Sequence, residues 1–341
     1  MKEIVISDKD AGGRLDKYLK KIFPSAPGAL LYKQLRKKNI TLNGHKADGS
    51  EKINKDDVIK VFFSDETFDT FSKTEGSKKT EDFEKAYKSL KGIEVLYEDD
   101  DIIAVNKPAG VLTQKADDKD MSLNEWLVGY LKDKKGLTED DIKVYKPSAA
   151  NRLDRNTSGI VLCAKTLKGS RCLSSYIKER RVGKYYHTFV KGKMPSESDV
   201  LKGYLKKDSK DNKVTIVDIS DDEALKPGFS PVITSYKVLS YHDDKKEGFD
   251  YSYLEIELVT GKSHQIRAHL ASIGHPLLGD VKYGDPKINK MLYNKYGVKN
   301  QLLHAARVEF DSDLEECEKL RGLVIDCKDP KYYGNLEKQG S

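Results

Sequence analysis

The sequence predicts an α+β fold. Apolar strand-like runs recur along most of the chain. Helical periodicity appears between only some of them, and no regular strand–helix–strand alternation links them. The chain has 341 residues, room for about two domains at ~100–200 residues each. Composition divides it into a compact module at 1–64, a polar linker at 65–88, a main domain at 89–310 and a tail at 311–341.

Within 1–64, Leu15, Tyr18 and Leu19 share one helical face, spaced i, i+3, i+4. Leu30, Leu31, Gln34 and Leu35 make a second helix that ends in Arg36-Lys37-Lys38. Ile40-Thr41-Leu42 runs into Asn43-Gly44, a two-residue hairpin signal, and 58–63 closes the module as a strand. Residues 70–80 are rich in Ser, Thr, Lys and Glu and show little apolar periodicity, which reads as linker. In the main domain, strands are expected at 93–97, 102–106, 160–164, 185–190, 214–217, 232–239, 253–259 and 306–310. Helices are expected at 121–133, 167–180 and 264–273. Leu320, Leu323, Val324 and Ile325 should let part of the tail pack, while 337–341 reads as disordered.

The net charge of +6 is unevenly placed. Residues 1–64 hold 14 Lys and Arg against 8 Asp and Glu, which leaves 47 of each elsewhere. A basic module on a neutral body suits a polyanionic partner. No apolar stretch approaches the ~20 residues that cross a membrane. Residues 1–8 lack a signal-peptide hydrophobic region, so a cytoplasmic location is expected. Cys163 and Cys172 are nine apart, Cys317 and Cys327 ten apart. Neither spacing suits a zinc knuckle, and ordinary thiols are expected.

The most informative run is Asn151-Arg152-Leu153-Asp154-Arg155-Asn156-Thr157-Ser158-Gly159, ahead of the apolar strand 160–164. An aspartate between two arginines on such a loop should be ionised and held in place. It can then act as nucleophile or base without a metal. Four further pieces are Lys107-Pro108-Ala109-Gly110, residues 184–192 with Tyr185 and Tyr186, residues 260–284 with His264, Ile266 and Arg267, and Leu303-His304-Ala305-Ala306-Arg307. Gly261-Lys262-Ser263 ends like a phosphate-binding loop, but Ile256 stands where its first glycine belongs. His264, His269 and His275 have no nearby cysteine or carboxylate to complete a ligand set, so no metal is expected.

In that order, these five pieces resemble the RluA-type family of RNA pseudouridine synthases. The segment 12–64 resembles the alpha-L RNA-binding domain named after small-subunit ribosomal protein four, through Arg14-Leu15-Asp16-Lys17-Tyr18-Leu19, the basic end of the second helix, Asn43-Gly44 and Asp56-Asp57-Val58-Ile59. The likeness implies a mixed, largely antiparallel catalytic sheet behind a small RNA-binding domain. It implies isomerisation of uridine in RNA: the bond from uracil N1 to ribose breaks, the base turns, and C5 rejoins the sugar, with no cofactor. By position, the catalytic residues are Asp154, the aromatic Tyr186 and the basic partner Arg267. Whether Asp154 attacks the sugar, attacks the ring or takes a sugar proton stays open. Arg152, Leu153, Arg155, Ile266, Lys107 and His264 are expected to contact the substrate, with Arg152 filling the space of the flipped base and Leu153 and Ile266 walling its pocket. Arg14, Lys17, Lys33, Arg36, Lys37 and Lys38 are expected to bind RNA. Large-subunit ribosomal RNA is the preferred substrate, transfer RNA the alternative, and a monomer the default state. A non-catalytic RNA-binding or assembly factor and a carboxylate hydrolase are rival readings; the second wants a paired acid, which Asp154 lacks in sequence. The chain has Asn151 where the family often has His, and Lys262 and Ser263 where Arg and Thr are frequent.

Overall fold

A computed structural model describes residues 2–7, 10–72, 76–207, 213–218, 227–244 and 248–337. The chain divides into two compact units, Met1–Asp82 and Phe83–Ser341.

The first unit runs β1 (Lys2–Val5), α1 (Leu15–Ile22), α2 (Gly28–Arg36), β2 (Ile40–Leu42), β3 (His45–Lys46), β4 (Val58–Val61) and α3 (Asp65–Ser72). Its strands form an antiparallel sheet in the order β1-β4-β2-β3. Asn43 and Gly44 have φ of 50° and 77°, the positive pair that a type I′ hairpin needs. Leu15, Leu19, Leu31 and Leu35 bury one face of each helix against Ile40, Ile59 and Val61.

Residues 65–88 are not an irregular linker, contrary to what their composition suggests. They form α3 and α4 (Gly76–Ser89), with 73–75 outside the described residues. Phe68 lies edge-on to Phe23 at 5.2 Å, and Phe71 edge-on to Phe63 at 5.7 Å. Further on, Phe83 and Ala86 are buried and Tyr87 packs against Trp126 at 5.8 Å. Sparse aromatics at helical spacing suffice because packing, rather than propensity, supplies most helix stability.

The second unit continues with β5 (Glu94–Glu98), β6 (Ile102–Lys107), α5 (Leu123–Lys135), α6 (Glu139–Val144), β7 (Ser148–Ala149), β8 (Ser158–Ala164) and α7 (Leu167–Lys178). Then come β9 (Val182–Lys191), β10 (Ser198–Lys207), β11 (Val214–Asp218), β12 (Phe229–Asp244) and β13 (Phe249–Leu258). The rest is α8 (Gln265–Ser272), α9 (Pro286–Tyr296), β14 (Leu303–Phe310), β15 (Val324–Asp326) and α10 (Tyr333–Glu337). None of the described helices is long and apolar enough to cross a membrane.

Among the described residues these strands make one 11-stranded sheet, β11-β10-β12-β13-β9-β14-β8-β6-β5, with β15 on β14 and β7 on β8. Every pairing is antiparallel except β14 with β8. That parallel contact is short, His304 beside Ser158 and Ala305 beside Gly159. A Cβ on Gly159 would lie 2.2 Å from the Ala305 carbonyl, so glycine is what lets the two backbones meet. The continuous apolar runs of β6 and β8 are explained by burial on both faces. Ile103, Val105, Val161 and Cys163 face α5, while Ile102, Ala104, Ile160 and Leu162 face α7.

The tail packs as its apolar residues predict, whereas the cysteines depart from expectation. Beyond 310 the chain packs on the sheet through β15, and Tyr333 and Leu336 join the core around Phe189 and Tyr251. Of the stretch 337–341, read as disordered, Glu337 ends α10 and the last four residues lie outside the described residues. Cys172 and Cys317, expected to be thiols, form a disulfide across 145 residues with Cα atoms 6.6 Å apart. Proximity in space, invisible in the spacing, pairs them. Cys163 and Cys327 are free and buried.

Candidate active site

Asp154 lies on the loop entering β8, where no ladder holds the backbone. Contacts at the loop's edges hold it instead. Thr113 Oγ1 accepts from Leu153 N at 3.2 Å and donates to Leu153 O at 3.0 Å. Gly110 N donates to Arg155 O at 2.8 Å, and Arg155 Nε donates back to Gly110 O at 3.2 Å. Thr157 N donates to Asp154 O at 3.1 Å. Asn151 Oδ1 accepts from Leu162 N at 2.8 Å, so the asparagine ties the loop to its own strand.

Lys107 completes this scaffold. Its Nζ donates to the carbonyls of Val111, Pro108 and Arg155 at 2.9, 3.1 and 3.2 Å. All three donors of an ammonium are thereby used, and the residue is 0% exposed. The expected contact of Lys107 with substrate is therefore corrected: it supports the loop from beneath. Burial draws its pKa down to about 7, with the Asp154 carboxylate opposing.

Arg267 reaches the loop from α8. Gln265 roots that helix by donating to Ile233 O at 2.9 Å and Thr234 Oγ1 at 3.0 Å, and its Oε1 accepts from Lys262 N at 3.1 Å. Arg267 Nη1 donates to Asp154 Oδ2 at 2.8 Å. Its Nε and Nη2 donate to Asp280 Oδ2 and Oδ1 at 2.7 and 2.9 Å. The Tyr283 ring lies 5.3 Å from the guanidinium carbon. Burial works against the Arg267 charge, but the Asp280 and Asp154 carboxylates outweigh it and raise its pKa. The Arg267 side chain is 7% exposed and that of Asp154 26%, so of this pair the carboxylate is the open member.

His264 caps α8 with a left-handed φ of 56°, a conformation uncommon outside glycine. Its Nε2 stands 3.8 Å from Asp154 Oδ2, and its Nδ1 lies 3.0 Å from Tyr283 Oη. Burial lowers its pKa, against the pull of Asp154.

Tyr186 is buried in the same core cluster as Leu153 and Ile266. Burial raises its phenol pKa, and the Asp154 charge adds to the effect. Tyr185 points to the other face, where Arg307 lies 4.3 Å from its ring centre. Arg152 and Arg155 are exposed beside Asp154. Arg152 makes no ion pair among the described residues.

Thus Asp154, Arg267, His264 and the apolar group Leu153, Ile266 and Tyr186 come together. Asp280, Tyr283, Thr113 and Gln265 belong to the same assembly, and sequence reasoning gives them no role. His269 and His275 turn elsewhere, to Thr234 Oγ1 and the Lys191 carbonyl. Among the described residues no group of three His, Cys, Asp or Glu is placed to hold a metal. In the first unit Arg14 is paired with Asp16 at 2.9 Å, whereas Lys17, Lys33, Arg36, Lys37 and Lys38 are exposed and unpaired among the described residues.

A family model described as RNA pseudouridylate synthase matches residues 101–272. The chain is 34% identical to a ribosomal large subunit pseudouridine synthase C of Rickettsia conorii, over 86% of this chain and 88% of the relative. It is 28% identical to a protein of the same name from Pasteurella multocida, over 100% of this chain and 95% of that one. A solved structure of human RNA pseudouridylate synthase domain containing 4 superposes with a TM-score of 0.57 at 20% identity, covering 75% of this chain and 96% of the other.

Proposed function

From the chain's membership of the RNA pseudouridylate synthase family, we propose that it converts uridine to pseudouridine in large-subunit ribosomal RNA, with Asp154 as the reacting group. The curated relatives carry that ribosomal name, which supports this RNA class over transfer RNA. One observation carries the site assignment: a partly open carboxylate on a braced loop, ion-paired at 2.8 Å to a buried arginine from a distant helix.

The chemistry follows from that arrangement. Arg267 orients the carboxylate through Oδ2, while Oδ1 accepts no hydrogen bond among the described residues. Oδ1 is then available as nucleophile or base. Leu153, Ile266 and Tyr186 form an apolar cluster beside it, the kind of surface that suits a base taken out of its stack at a cost of a few kcal/mol. Tyr186, whose phenol burial keeps protonated, can stack on the uracil. Arg152, exposed and unpaired among the described residues, is our candidate to fill the vacated stack.

The test is pseudouridine formation on transcribed large-subunit RNA. Asp154→Asn should abolish it while RNA binding survives; normal turnover would sink the assignment. In the same assay Arg152→Ala should lose more turnover on the structured transcript than on an isolated single strand, and equal losses would remove Arg152 from that role. A non-catalytic binding factor of the same fold would show no turnover even in the unaltered chain.

A further inference from the structure

We infer that Asp280 is a positioning residue for the isomerisation, holding the fork of Arg267 so that only Nη1 reaches Asp154. The inference rests on the active-site reading above and adds a residue to it.

A free guanidinium prefers to grip a carboxylate through two parallel bonds. Here the edge made by Nε and Nη2, which presents that fork, is occupied by Asp280. Asp154 receives the remaining Nη1, on one oxygen only. Asp280 can dictate this because it is itself immobile. It is 0% exposed, and its Oδ1 accepts from Lys282 N at 2.9 Å and Tyr283 N at 3.1 Å. Asn289, from α9, donates to its main-chain carbonyl at 2.9 Å. A buried carboxylate is costly unless paired and hydrogen-bonded, and every contact that satisfies Asp280 also fixes Arg267. The group of two carboxylates and one guanidinium carries one net negative charge, which falls on the open oxygen of Asp154.

The charged and titratable groups facing this centre are Lys107 from β6, Tyr186 from β9, His264 from the start of α8, Lys282 and Tyr283 from the turn after Asp280, and the exposed Arg152 and Arg155 on the Asp154 loop itself. With these unchanged, Asp280→Asn removes one negative neighbour of Asp154 and frees the second edge of Arg267. Both changes stabilise the Asp154 anion and make it a weaker base or nucleophile.

The experiment measures kcat and KM across pH on large-subunit RNA transcribed with uridine tritiated at C5, since that hydrogen is released as the new carbon bond forms. For Asp280→Asn, kcat should fall about 10²-fold, the scale of a small misplacement at a reacting group. KM should stay unchanged, and the acid limb of the kcat profile should move to lower pH. Asp280→Glu, which restores the charge, should return the limb to its original place. A lower kcat with an unmoved limb would mean that Asp280 only supports the fold, and an upward shift would mean that Asp280 delivers Arg267 to Asp154 instead of restricting its grip to one nitrogen; either overturns the inference. So would a limb that stays low in Asp280→Glu. Asp154→Asn, run alongside, separates the two levels: turnover retained there refutes the active site, whereas turnover abolished there with an unmoved Asp280→Asn limb refutes only the clamp.

Discussion

At the scale of single residues, charge placement decides what each group can do. Arg152 and Arg155 flank Asp154 in sequence, yet its ion pair is with Arg267, 113 residues away. Here Arg152 and Arg155 are exposed, and the cation that reaches the carboxylate comes from α8. Lys107 shows the converse, a cation too deep to meet solvent. A lysine in the unfolded chain titrates near ~10.4, whereas in the fold Lys107 is drawn to about 7. Between those values the unfolded state holds the extra proton, so the native state should gain stability as pH rises through that window. Below about 7 both states are charged and the slope vanishes. Urea midpoints followed from neutral pH upward should show this rise in the unaltered chain and not in Lys107→Met. Parallel curves for the two would show that the lysine is charged in the fold.

At the scale of elements, local signals and tertiary packing share the work unevenly. Strands β6 and β8 were legible because burial on both faces writes an unbroken apolar run. Strand β10 was not: its Lys-rich run is largely exposed and is held by ladder bonds to β11 and β12. Helix α9 did carry readable marks, an Asp285 cap, Pro286 in its first turn and Gly297 after its end, but it lies between the chemistry-bearing motifs rather than within one. The disulfide between α7 and the segment before β15 is an element-scale feature no spacing reveals. Thiols counted in denaturant without reductant should number two, Cys163 and Cys327. A count of four would mean that the close pair is a dithiol.

At the scale of the whole molecule, the sheet order brings together four of the five scattered motifs, and α8 carries the fifth to them. Strands β9, β14, β8 and β6 are neighbours, so residues near 107, 154, 186 and 304 converge although almost 200 positions separate the first from the last. The basic first unit is proposed to add affinity through phosphates, and its exposed cations are the means. Replacing Lys33, Arg36, Lys37 and Lys38 by alanine in the intact chain should flatten the salt dependence of RNA binding. The log–log slope should shrink by about 0.7 for each single-strand phosphate that these cations neutralise. An unchanged slope would mean that these side chains are merely solvated.

By itself the sequence determined the fold class, the family, the two helices and hairpin of the first unit, and the identity of Asp154, Tyr186 and Arg267 as the residues to watch. These rest on local periodicity and on motifs that keep their order along a chain. Only the tertiary structure decided that Asp280 shares Arg267 with Asp154, that Lys107 is sealed beneath the loop, and that Cys172 meets Cys317. Each of those depends on which distant segments a sheet and its helices bring within a few ångströms, and no periodicity in one segment encodes its distance to another.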